Sequence, residues 1–135
     1  MIDLRDRTKK FALRVFALID YIRQNPKGRV VQYQLAEAAS SAAANYRAAQ
    51  RSRSRAEFIS KLNIVLEEID ESCFWIELLV GSGLIRQHKV GDLQREGNEL
   101  CSIMVASRST ARQNSSQLKG RNNRLDVEEP PSTEK

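Results

Sequence analysis

Proline occurs at three positions only, Pro26, Pro130 and Pro131, so about a hundred consecutive residues carry no helix-breaking imino acid. No stretch alternates apolar and polar residues long enough to suggest a half-buried strand. Apolar residues recur instead at three- and four-residue intervals. A chain of 135 residues supports one sizeable core. The expectation is an all-α domain.

Four helical segments are legible. In residues 4–25, Phe11, Val15, Leu18 and Ile22 form a stripe that Ala12, Phe16 and Ile19 widen. Asp3 and Asp6 suit the positive end of that helix, and Asn25-Pro26-Lys27-Gly28 is read as its stop. Residues 30–51 are alanine-rich, with Leu35 and Tyr46 supplying bulk; a buried Asn45 there needs hydrogen-bond partners, for instance on a second helix. Ser54-Arg55-Ala56-Glu57 fits a capping box and opens a helix over 54–82. Along it Phe58, Leu62, Val65, Leu66, Ile69, Cys73, Ile76 and Val80 trace one face.

The end of that third helix is apolar on nearly every side. A helix of that kind is expected to be buried all round, which one bundle does not provide. Phe74, Trp75, Leu78 and Leu79 are therefore the candidate subunit interface. Gly81-Ser82-Gly83 ends the helix, with Leu84 placed to fold back on it. A fourth helix over 90–112 carries Leu93, Leu100, Ile103, Met104 and Ala111; its Gly97 is either a close-packing site or a weak point. Residues 113–135 are polar and are expected to form a disordered tail. The architecture predicted is an antiparallel up-down-up-down four-helix bundle over residues 1–112, followed by that tail.

Composition excludes several functions. No apolar run reaches the roughly 20 residues of a membrane helix. MIDLRDRTKK has no apolar signal core, so a cytoplasmic address is expected. One histidine cannot supply the paired Glu-x-x-His ligands of a di-iron bundle, and two cysteines build neither a disulfide framework nor a zinc site. Cys73 and Cys101 read as small hydrophobes, and Glu67, Glu68 and Glu71 as a solvated face. No phosphate-cradling glycine motif is present. His88 has no visible orienting partner. No catalytic residue, metal or cofactor is expected.

Charge is the remaining signal. Residues 1–61 hold 13 Lys and Arg against 5 Asp and Glu, whereas residues 62–112 hold 5 against 8. Arg47, Arg51, Arg53, Arg55 and Lys61 run from the end of the second helix across a turn into the third; Arg5, Arg7, Lys9, Lys10 and Arg14 form a second cluster on the first. In an up-down bundle the start of helix one and the 51–54 turn share an end. The clusters can therefore merge into a patch that neutralises phosphates without reading bases. The other reading is that these charges set solubility and pair with acidic residues of another subunit, leaving a protein-interaction scaffold.

The segment Ala39-Ser40-Ser41-Ala42-Ala43-Ala44-Asn45-Tyr46-Arg47-Ala48-Ala49, then Arg51 through Leu62, Glu67, Asp70-Glu71-Ser72 and Trp75-Ile76-Glu77-Leu78-Leu79, resembles the bacterial 23S rRNA intervening-sequence family. The resemblance covers about residues 8–112 and is most specific over 40–79. It implies an antiparallel four-helix bundle, often a ring-like homopentamer, with no established activity. An RNA or other nucleic acid, or a protein, is the partner expected. The polar tail lies outside the family pattern.

Overall fold

The computed structural model describes the backbone of residues 3–127 and the side chains of residues 3–114. Four helices, α1 (Leu4–Ile19), α2 (Pro26–Ala49), α3 (Arg55–Gly81) and α4 (Gly91–Val127), follow one another, with a single 3-10 turn at Gln87–Lys89. There is no strand among the described residues. Each helix packs on its neighbour in sequence, and α1 closes on α4 over a short stretch. The fold is an antiparallel four-helix bundle.

Local chemistry sets the boundaries of the first three helices, and two of these differ from expectation. α1 ends at Ile19, not near residue 25, and Asn25-Pro26 opens α2 instead of closing α1. The Asn25 side chain accepts from the Gly28 N–H at 2.7 Å, and Pro26 sits in the first turn, where its missing N–H has no helical partner to lose. Gly28 belongs there for a second reason: a Cβ would lie 2.0 Å from the Arg23 carbonyl oxygen. The turn between α1 and α2 folds back closely onto the start of α2 at that point.

Ser54 caps α3 as expected, its hydroxyl accepting from the Glu57 N–H at 3.0 Å. The Glu57 carboxylate reaches back one residue further, accepting from the Arg53 N–H at 3.2 Å. At the other end Gly83 takes φ +77°, the left-handed region that glycine adopts without a Cβ clash. Leu84 then donates to the Leu79 carbonyl and Gly83 to the Val80 carbonyl, both at 3.0 Å. That pair of bonds is a Schellman motif, and Leu84 packs onto the core as the reading required.

The fully buried set includes Phe11, Val15, Leu35, Leu62, Val65, Ile69, Ile76, Leu79, Val90, Leu100 and Met104, drawn from all four helices and the last connection. Gly97 resolves as a close-packing residue, with α3 and α1 both against it. Asn45 donates to Ser41 on its own helix, at 2.9 Å to the carbonyl, so no cross-helix partner is needed. α4 runs past the expected end at 112 to Val127. Helical backbone continues there with no proline before Pro130 and with Gly120 as the one glycine in the segment. The end of the expected tail, residues 128–135, lies outside the described residues.

Candidate nucleic-acid interface

Two helix ends and one turn present the four arginines. Arg47 lies in the last turn of α2, where a cation opposes the negative end of the helix dipole. Arg51 and Arg53 follow in the connection, which folds on itself through Arg51 N–H to Ala48 O (3.0 Å) and Ser52 N–H to Ala49 O (3.1 Å). Arg55 is the first residue of α3. All four side chains are exposed, and none forms an ion pair among the described residues. The N-terminus of α3 adds a dipole of the sign that attracts phosphate.

Arg53 and Arg55 also edge an open groove of about 970 Å³. Phe58 and the Ile103–Asn114 stretch of α4 form its other walls, with Ala106, Ser107, Thr110 and Ala111 exposing small apolar and hydroxyl groups. A cationic rim beside a half-buried aromatic is the combination that holds a flexible polyanion by its backbone and lets a base rest on a ring.

The helix-one cluster divides in the structure. The start of α1 does lie beside the end of α2: Tyr46 has its phenol pKa raised, by burial first and by the Asp3 charge second. Lys9 is exposed there without a carboxylate partner among the described residues. Lys10 instead pairs with Asp6 at 2.8 Å, and its hydrogen bond to that carboxylate raises its pKa. Arg7, three residues before Lys10, is drawn to α4 by Glu96 and by Glu99 at 3.5 Å. Arg14 faces a different cleft, shared with residues 84–93, and does not join the patch.

The candidate subunit interface divides too. Phe74 and Leu78 are 49% and 41% exposed, whereas Leu79 is 0% exposed and belongs to the core of this chain. Its position follows from spacing, since Leu79 continues the Ile69, Cys73, Ile76 face. Trp75 is half-buried, donates to the Glu71 carboxylate at 3.2 Å, and meets the Phe74 ring edge-on at 5.4 Å. Sequence reasoning missed other outward apolar groups: Phe16, read as part of the α1 core stripe, is exposed, as are Tyr21, Val30 and Tyr33. Topology gathers these at the end of the bundle that holds Phe74 and Leu78, opposite the arginines.

Neither cysteine is activated. Burial pushes the Cys73 thiol up to about 11, and it also raises Cys101, the reverse of thiolate activation. No cluster of three or more metal-ligating side chains occurs among the described residues, and no described helix is long and apolar enough to cross a membrane.

With this geometry in hand, comparison with known proteins is decisive on kinship. The family model of the 23S rRNA-intervening sequence protein matches residues 2–106. The chain belongs to this family. A crystal structure of a protein of unknown function from the S23 ribosomal protein family, from Bacteroides thetaiotaomicron, superposes with a TM-score of 0.73 at 29% identity. It covers 78% of this chain and 98% of its own. No curated protein matches. The matched 2–106 region of this intervening-sequence family member includes all four arginines, Phe74 and Leu78, and it ends within the α4 wall of the groove.

Proposed function

We propose that this protein is a non-enzymatic, self-assembling bundle of the cytoplasm that holds RNA, or another nucleic acid of similar backbone charge, at its arginine end. The observation that carries this reading is the set Arg47, Arg51, Arg53 and Arg55, exposed around one turn, of which Arg53 and Arg55 edge a groove with an aromatic wall. Lys9 extends the patch. Contacts of this type go to phosphates, so binding is steered by charge and shape, with little base preference.

Self-assembly is supported by the opposite end, where Phe74 and Leu78 leave apolar surface uncovered. A ring of five chains is the assembly the family resemblance implies, and it would set several arginine patches side by side. The same apolar surface favours a second reading, a scaffold that binds another protein and makes no nucleic-acid contact.

The test is fluorescence anisotropy of a labelled structured rRNA fragment at about 50 and 200 mM salt. If one chain's four arginines each displace one counterion, affinity falls about 50- to 150-fold across that range. No binding at the lower salt would leave the scaffold reading.

A further inference from the structure

α1 meets α4 over a short stretch. There the Phe11 ring lies against Gly97, and Arg7 reaches Glu96 and Glu99. Toward the Ile19 end a cleft of about 580 Å³ opens between α1, the connection after α3 and the first turn of α4. Leu18, Ile85 and Leu93 form an apolar floor that the core nearly covers. Three cations line it: Arg14 from α1, and Arg86 and Lys89 from the connection. Tyr21, 80% exposed, stands beside it.

The charges in this cleft do not balance. Asp92 is the one carboxylate in the lining, and Arg95, from outside the cleft, engages it. None of the three lining cations has an ion-pair partner among the described residues. Like charges gathered on one concavity repel one another and add nothing to the fold, whereas an anion seated there would meet all three. The volume falls in the range of small-molecule sites, roughly 300–1,000 Å³, and the apolar floor with a few polar groups at its edge is the usual composition of such a site.

We propose that this cleft binds a small organic anion, an apolar ring or short chain carrying a phosphate, sulfonate or carboxylate. The apolar body rests on Leu18, Ile85 and Leu93; the anionic group is held by Arg86, Lys89 and Arg14. The site is separate from the arginine end, so it stands or falls independently of nucleic-acid binding.

Full-length protein titrated with anilinonaphthalene sulfonate, whose fluorescence rises on leaving water, tests this directly. Expected are saturation near one probe per chain, displacement by phenyl phosphate, and a loss of about tenfold in affinity for R86Q/K89Q, the order expected when two solvent-exposed charge contacts go. Both residues are exposed, so circular dichroism and sedimented mass should be unchanged in that variant. F74S/L78S should bind the probe as the parent does, which separates the cleft from the open apolar end. Equal affinity in R86Q/K89Q, or probe binding lost in F74S/L78S instead, would overturn the proposal. So would a drop in sedimented mass on R86Q/K89Q, because the cleft would then be a contact between copies.

Discussion

Gly97 of α4 faces Cys73 of α3 so closely that a Cβ on Gly97 would lie 2.6 Å from the Cys73 sulfur, with the Phe11 ring 3.4 Å away. A glycine inside a helix costs about 1 kcal/mol of propensity against alanine. Here the missing side chain lets three helices meet. G97A should therefore lower stability by about 1 kcal/mol, the overpacking penalty exceeding the propensity gain. G97A/C73A should recover part of that loss, because removing the sulfur makes room. Urea midpoints for the four-member cycle check the coupling; strictly additive changes would mean that the two residues do not meet.

Asn25 and Gly28 make a second pair with separable effects. N25A removes a cap and should cost about 1 kcal/mol. G28A drives a Cβ into the Arg23 carbonyl, which requires the backbone to shift, and should cost about 3 kcal/mol. Thermal melts followed by circular dichroism would rank them, and equal losses would argue against the close approach of the Arg23 carbonyl to Gly28.

Glu68 provides a pH-dependent prediction. Burial first, then the charges of Glu71, Glu37 and Glu67, raise its pKa above the usual carboxylate value. The folded state thus holds this proton more tightly than the unfolded chain. Its contribution to stability is fully present below the unfolded pKa and is lost as pH rises through the folded one. E68Q, which stays neutral, should melt higher than the parent at pH 7 and show no advantage near pH 4. An advantage of equal size at both pH values would contradict the assignment.

Phe74 and Leu78 test self-assembly more cleanly than Trp75, whose indole also packs against the core. F74S/L78S removes no fully buried group, so helicity should persist while the sedimented mass falls toward that of one chain. An unchanged mass would remove this surface from the interface.

The pattern of residues and the fold agree where local chemistry decides the outcome. Ser54 with Glu57, and Gly83 with Leu84, announce a helix start and a helix stop that the structure realises through named hydrogen bonds. Asn25-Pro26 was legible as a boundary but ambiguous in sense, since a stop and a cap use the same residues. Phe16 and Leu79 show what periodicity alone misses. In a segment rich in apolar side chains, the inward direction is fixed by neighbouring helices, so Phe16 could be placed on a core stripe it does not join. Leu79 could have been found by continuing the Ile69–Ile76 spacing from the capped start of α3. The cleft of Arg14, Arg86 and Lys89 had no sequence signal, because it exists only where α1 passes the connection after α3.

The most direct test sets location against net charge. R47Q/R51Q/R53Q/R55Q and R23Q/K27Q/R29Q/R95Q each remove four exposed cations, the first set at one end of the bundle and the second at the other. Titrated against the same rRNA fragment at about 50 mM salt, the first variant should lose binding while retaining helicity and mass, and the second should bind within a few-fold of the parent. Equal losses in both would mean that overall charge, and not the arginine end, accounts for any binding seen.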